Sequence, residues 1–367
     1  MKIRENESLK PYTTFKIGGP ARFFAAIESR QDLLQALQFA RSEERAIFVL
    51  GGGSNILTSD NGIDALVLHP MGGGIALLDE DEEQVQIRVE AAEPWDRLVA
   101  YAVEHHWGGI ENLSHIPGQA GAALVQNVGA YGQQISDVFE TAEVAELRTR
   151  KIETLRREDC GLGYRKSIFN TFRKGQFLIL ALTLRLTKRL HPNLTYPDVK
   201  AWFQKLDIQE PSLEQIRQAI IAIRDRKFPY PREEKGGNAG SFFKNLTLSA
   251  QEYENLERRF ETSFRARDLD RLAEIHRRFP AAEGIKIPTA FLIEACGLKS
   301  CRMGNVRVNE SQPLVLLNQG GATAKDVLTL ARHIRQTIYA RTGVKISIEP
   351  ELVGFTPQEL AEFMGFE

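Results

Sequence analysis

Residues Ile116-Pro117-Gly118-Gln119-Ala120-Gly121-Ala122-Ala123-Leu124-Val125-Gln126-Asn127-Val128-Gly129-Ala130-Tyr131-Gly132 restrict what this chain can build more than any other stretch. Glycine and alanine crowd here around a single proline, a single tyrosine and a few amides. Glycine lacks the Cβ that holds an N–H away from its surroundings, and alanine adds helix propensity with little bulk. Such a backbone suits tight packing of a small-residue helix against a sheet, or a cradle for a flat or charged ligand. For a Gly/Ala run alone packing is the commoner use, because isolated glycine patterns specify little.

A chain of 367 residues exceeds most single cores and predicts two or three domains at about 150 residues each. Hydrophobic content of 43%, charged content of 26% and a net charge of −1 exclude a disordered chain and a general polyanion binder, so no nucleic-acid partner is expected. The basic stretches 148–157 and 265–278 are interspersed with acids, lack a stacking pattern of aromatics, and read as solvated faces. Met1–Glu7 has no apolar signal core, and no apolar run nears the ~20 residues that span a bilayer. A cytoplasmic protein with no membrane partner is expected. Cys160, Cys296 and Cys301 are odd in number and lack ligand spacing, so they read as reduced and structural. His69, His105 and His106 have no carboxylate or cysteine at ligand spacing. They read as helix and loop histidines, and no metal is expected.

Ser29-Arg30-Gln31-Asp32 opens a helix with Leu33, Leu34, Leu37 and Ala40 on one face, and 46–50 reads as a short buried strand running into Gly51-Gly52-Gly53-Ser54-Asn55. A second strand at 65–68 completes a compact α/β unit. Val85, Ile87 and Val89 alternate as a strand, and Trp95, Leu98, Val99, Ala102 and Val103 repeat at helical spacing. Strands over 138–147 and 177–186 predict an α+β middle with a largely antiparallel sheet, with no Rossmann-type series. Capping boxes at Ser212–Gln215, Ser249–Glu252 and Thr323–Asp326 start helices, the first ending before Pro229 and Pro231. A boundary falls near 226–232.

Gly51–Asn55 follows a strand, where main-chain N–H groups with small polar side chains surround a pyrophosphate or simply turn sharply. A second glycine-rich loop downstream favours the ligand reading, since a dinucleotide needs two separated cradles. Gly237-Asn-Ala-Gly-Ser241-Phe-Phe-Lys-Asn245 sets a hydroxyl, an ammonium and two amides around two aromatics. That polar set is costly to bury without a ligand. The alternative is a surface hairpin with Phe242 and Phe243 turned inward. Arg165, in a glycine-led turn, and Glu349-Pro350-Glu351, ending an alternating segment through Val344, Ile346 and Ile348, read by spacing alone as surface charges. So do Arg224, Arg226 and Lys227 at a helix C-terminus.

Taken in order, Gly51–Asn55, Ile116–Gly118, Gln126–Gly132, Gly163-Tyr-Arg-Lys-Ser-Ile-Phe169, Gly237–Asn245 and Glu349–Glu351 closely resemble the UDP-N-acetylenolpyruvoylglucosamine reductase family of peptidoglycan synthesis. Thr13-Thr14-Phe15 and Ser311–Asn318 resemble family segments too. The resemblance implies an α+β fold: a two-part FAD-binding region of the vanillyl-alcohol-oxidase (PCMH) type, residues 1–70 and 71–226, followed by a mixed α/β substrate-binding domain, 227–367, whose last strand carries Glu351. It implies non-covalent FAD, NADPH as hydride donor, and UDP-N-acetylglucosamine enolpyruvate reduced to UDP-N-acetylmuramate by a monomer. It makes Ser241 the proton donor, with Arg165 and Glu351 polarising the substrate carboxylate. Gly51, Gly52, Gly53, Ser54, Asn55, Ile116, Pro117, Gly118, Ala122, Asn127, Gly129, Ala130, Tyr131 and Gly132 hold FAD, and Arg224 meets its phosphate. Lys227, Asn245 and Gln312 hold nucleotide or substrate, and Tyr196 belongs to the tyrosine loop of one subclass.

Ala122-Ala123-Leu124 stands where the family carries small hydroxyl residues and a proline, which removes side-chain hydrogen bonds to flavin. Val353 replaces a frequent arginine. Two competing readings are an oxygen-using flavin oxidase of the same superfamily and a non-catalytic UDP-sugar or flavin sensor. The many oxidases that tether flavin through histidine or cysteine contrast with 51–55 and 116–132, which contain neither, and a sensor does not require Ser241, Arg165 and Glu351 together.

Overall fold

The computed structural model describes residues 1–228, 236–278, 280–281 and 284–364. Pro229 and Pro231 lie outside them. The chain divides into two compact units, one gathering Met1–Glu7, Ala21–Gly52 and Asp64–Arg226, the other Ser8–Pro20, Gly53–Ile63 and Lys227–Glu367.

In the first unit, helix α1 (Arg30–Ser42) starts where the Ser29 side chain accepts the Asp32 N–H, and it buries Leu33, Ala36, Leu37 and Ala40. They pack on a four-stranded sheet in the order Ile3–Ser8, Pro20–Ile27, Ile63–Pro70, Ile47–Val49. The last strand pairs parallel with its neighbour. Being at the edge, its residues are half-buried rather than the buried strand expected. His69 is a correction: it sits in the strand Ile63–Pro70, with Nδ1 2.8 Å from the Leu50 carbonyl, and burial lowers its pKa.

A second sheet orders Ile152–Arg156, Phe139–Glu146, Phe177–Thr187, Gln84–Glu90 and Ile75–Glu80, every neighbour antiparallel. Val85, Ile87 and Val89 are fully buried in one core with Trp95, Leu98, Val99 and Ala102 of α2 (Trp95–Glu104). The alternating and helical patterns thus describe two faces of one interface. Helix α3 (Ala120–Val125) adds Ala120, Ala123 and Leu124 to that core. Beyond it α4 (Pro197–Leu206) and α5 (Leu213–Lys227) bury Val199, Phe203, Ile216, Ile220 and Ile223 around Tyr131. Ser212 and Gln215 cap α5 reciprocally.

The second unit centres on α9 (Ala324–Thr342), opened by the Thr323–Asp326 capping box and closed by Gly343 at φ 73°. Its inner face packs on Phe15, Ile17, Leu57, Phe242 and Phe243. Around it lie α6 (Ala250–Ser263), α7 (Ala266–Arg278), α8 (Thr289–Ala295) and α10 (Pro357–Met364). Glu351–Val353 pairs parallel with Ile56–Thr58. The expected alternating segment 344–348 buries Val344 and Ile346, but only Ile348 makes a ladder bridge, to Phe243. Here alternation reflects packing without a continuous strand.

All three cysteines are free, and burial pushes the Cys160 and Cys296 thiols up to about 12 and about 11. Native protein is expected to alkylate at partly exposed Cys301 alone near pH 8; mass spectrometry finding label on Cys160 would contradict this. Asp96 accepts both Arg217 Nη atoms at 2.6 and 3.0 Å and the His115 N–H at 2.6 Å. Burial works to raise its pKa, but these donors hold it below the ordinary 3.8. With a depressed folded value, its contribution is full above about 4 and disappears as pH falls through the folded value. Asp96→Asn is expected to cost about 2 kcal/mol at pH 7 and to flatten the acid limb of stability, measured by urea denaturation from pH 2 to 7.

Candidate functional site

The first unit brings the two glycine-rich segments into contact. A Cβ on Gly52 would lie 2.6 Å from the Gly118 Cα, and one on Gly51 would meet the Ala122 Cβ at 3.0 Å. Gln119 is anchored by Nε2 donating to the Pro70 carbonyl at 3.0 Å. Ala120, Gly121, Ala123 and Leu124 are buried, whereas Gly51, Gly52, Ile116, Pro117, Gly118 and Ala122 remain half-buried. The segment therefore packs on one side, as the packing reading of its small residues expects, and leaves peptide groups half-buried on the other. Gly51 has a local reason: a side chain there would press on the Ala122 methyl.

The segment then folds onto the Arg165 turn. Gly163 and Lys166 exchange main-chain hydrogen bonds at 2.9 and 3.1 Å, putting Tyr164 and Arg165 at the tip. Arg165 has φ 52°, a left-handed conformation rare outside glycine that often marks functional positions. Its Nη2 donates to the Gly129 carbonyl at 2.7 Å, and its guanidinium lies 5.5 Å from the Tyr164 ring centre. Asn127 Nδ2 donates to the Gly163 carbonyl at 2.9 Å, while its Oδ1 accepts the Ser136 N–H. Tyr131 is buried, its hydroxyl pushed up to about 12 by desolvation despite the opposing influence of Arg224. Arg224 Nε donates to the His115 carbonyl at 2.9 Å. Exposed Tyr196, preceding α4, meets Tyr131 edge-on with ring centres 5.0 Å apart.

The unit boundary falls between Gly52 and Gly53, so Gly53, Ser54 and Asn55 belong to the second unit. There Thr14 is the fastener. Its N–H donates to the Gly53 carbonyl at 3.1 Å, its hydroxyl to the Asn238 carbonyl at 2.7 Å, and its carbonyl accepts the Asn238 N–H at 3.2 Å. Gly237 is obligatory, because a Cβ would sit 1.9 Å from the Thr14 carbonyl oxygen. Ser241 bridges Val315, Phe242 donates to Leu314 and accepts from Glu349, and Lys244 donates to Ser347. Phe242 and Phe243 enter the core while Ser241 stays half-buried. The turn closed by Val315 donating to Gln312 places Gln312 beside this segment, and Glu351 donates its N–H to the Asn55 carbonyl at 3.0 Å. Lys227 is tied in by its carbonyl, which accepts Asn309 Nδ2 at 2.8 Å. Asn245 Oδ1 accepts the Thr289 N–H opening α8. Val353 is buried and accepts the Ser59 N–H through its carbonyl.

A family model for the C-terminal domain of UDP-N-acetylenolpyruvoylglucosamine reductase matches residues 231–353, and one for an FAD-binding domain matches 21–152. A Flavobacterium johnsoniae protein named UDP-N-acetylenolpyruvoylglucosamine reductase is 37% identical, covering 96% of this chain and 100% of its own. A Pseudomonas putida protein of the same name is 38% identical over 95% and 98%. The chain belongs to the UDP-N-acetylenolpyruvoylglucosamine reductase family. The reductase structure from Thermus caldophilus shares its fold, with TM-score 0.62 and 24% identity over 96% of this chain and 100% of that one. The α+β class, with an FAD-binding domain followed by the reductase family's C-terminal domain, holds.

The reductase-family residues fit FAD on this chain's own geometry, since peptide groups of Gly52 and Gly118 are stacked without side chains between them. Two positioning residues escaped the sequence reading. Thr14 carried only a family likeness. Asn112, fully buried, donates Nδ2 to the carbonyls of Tyr131 and Asn193 at 2.8 Å each, tying the loop before Tyr196 to the second glycine-rich segment. With Glu111 and Ser114 beside it, nothing in the local sequence singled it out. Gly52→Ala is expected to lower the flavin-to-protein absorbance ratio of purified protein severalfold; full flavin content would show that the Gly52–Gly118 approach does not matter for FAD.

Proposed function

We propose that this chain reduces UDP-N-acetylglucosamine enolpyruvate to UDP-N-acetylmuramate, with FAD and NADPH, as a cytoplasmic monomer. The observation that carries this is near-full-length kinship with named reductases at 37% identity, together with Arg165, Ser241 and Glu351 in one chain. Among the described residues, no helix is long and apolar enough to cross a membrane.

Gly51, Gly52, Ile116, Pro117, Gly118 and Ala122 hold the cofactor through peptide groups, with Gly53, Ser54, Asn55, Asn127, Gly129, Ala130, Tyr131, Gly132 and Arg224 completing its binding set. Bound FAD supplies hydride transfer, from NADPH to the terminal enolpyruvyl carbon. Arg165 offers its planar fork to the substrate carboxylate, and its left-handed backbone, pinned by Gly129 and Asn127, pre-sets that fork. Glu351 polarises the same carboxylate. Negative charge then develops on the carbon next to the carboxylate, and the Ser241 hydroxyl delivers its proton there. Gly240, at φ 68°, makes the turn that presents Ser241. Lys227, Asn245, Gln312 and Tyr196 hold the nucleotide sugar.

Anaerobic stopped-flow absorbance tests these roles. Ser241→Ala is expected to keep flavin bleaching by NADPH but to slow reoxidation by the enolpyruvyl substrate about 10²- to 10⁴-fold. Unchanged reoxidation would remove Ser241 from the mechanism.

A further inference from the structure

The basic run around Arg265 reads in the sequence as a solvated face, yet its side chains line a cavity of about 730 Å³ in the second unit. Arg265 precedes α7, Arg267 and Arg271 lie in its first turns, Lys299 follows α8, and Arg341 sits in the last turn of α9. The acids on this lining are Asp268 and Glu294. Five cations against two carboxylates leave an excess of three positive charges, in a chain whose net charge is −1.

The two carboxylates are already engaged, Glu294 at 3.3 Å from Arg271 and Asp268 at 3.8 Å from Arg267. Arg341 is held at the wall: its guanidinium lies 4.3 Å from the Phe264 ring centre, and Nη1 donates to the Ala295 carbonyl at 3.4 Å. Phe264 is itself stacked on Phe260, ring centres 4.0 Å apart. Among the described residues no ion pair engages Arg265 or Lys299, and both are exposed. Unbalanced cations converging on a concavity raise the local concentration of anions.

We propose that this cavity is a binding site for an organic diphosphate. An organic diphosphate carries about −3 charge at neutral pH, one on the inner phosphate and up to two on the terminal one, which answers the three excess charges. Arginine forks match phosphate oxygens in pairs, and a guanidinium fixed over Phe264 loses little freedom on binding. The volume falls within the roughly 300–1,000 Å³ of small-molecule sites, leaving room beyond two phosphates for an organic group against Phe264 and Ala295. An acidic protein segment would favour cations spread along an open face, whereas these come from three helices around one hollow. None of the lining residues belongs to the flavin or substrate sets, so the inference is independent of the reductase reading.

The test is isothermal titration of the FAD-loaded protein with ADP and with inorganic pyrophosphate at low salt, repeated on the Arg265→Ala/Lys299→Ala double variant. Both side chains are exposed, so unchanged Tm and flavin content are expected and would establish that the variant is folded. ADP should bind one site per chain and weaken with added salt. Its Kd should rise at least tenfold in the double variant. Absent binding, or binding unaltered in the double variant, overturns the proposal. So does a polyglutamate peptide that binds this face more tightly than ADP.

Discussion

The hydrogen bonds of Thr14 organise the surroundings of Ser241. One residue near the N-terminus gives its N–H to the Gly53 carbonyl, its hydroxyl to the Asn238 carbonyl, and receives the Asn238 N–H. Side-chain and main-chain groups of the same residue are thereby saturated by two segments far away in sequence. A neutral hydrogen bond contributes about 1 kcal/mol net, but leaving a buried partner unsatisfied costs the larger desolvation penalty. Phe15 follows Thr14 into the core and meets Phe242 edge-on at 6.2 Å, so polar registration and apolar packing fix the same strand of chain. Asn318 adds a third tie, donating to the Phe15 carbonyl at 2.9 Å.

A different economy governs the first unit, where closeness of peptide groups matters more than side-chain chemistry. Gly52 against Gly118 and Gly51 against Ala122 bring two loops nearer than any larger residues allow. That geometry explains why position 51 is glycine, with the Ala122 methyl directly across the loops. The Arg165 turn is then hung from the same segment through Gly129 and Asn127, so the glycine-rich segment and a charged side chain share one support.

Much of this was legible from the amino acids, for reasons that differ by element. The boxes at Ser212, Ser249 and Thr323 are local, and local chemistry reads directly. The alternation through Val85, Ile87 and Val89 was equally direct, because one face of that strand is fully buried. Ile3–Ser8 escaped since every residue after Ile3 is polar or charged, as an edge strand tolerates. Among the site residues, Ser241 stood out within a polar cluster costly to bury, whereas Glu351 looked chemical only through family likeness. Their setting depends on ladder contacts to Val315 and on an N–H reaching Asn55, pairings with no periodic signature. Arg265, Arg267 and Arg271 are exposed, as a solvated face requires, but the hollow they line depends on α8 and α9, which no local pattern shows.

The polypeptide passes between its two units after Glu7, Pro20, Gly52, Ile63 and Arg226. Residues 227–367, although contiguous and recognisable as a domain, therefore cannot be cut out as a working piece. They would lack Phe15, Ile17 and Leu57 from their core and the Ile56–Thr58 partner of the strand that bears Glu351. On a ribosome, the N-terminal pieces of that core must wait until nearly the whole chain has been made. Such long-range closure is slow, and a nascent chain is left for most of its synthesis with apolar segments whose partners do not yet exist.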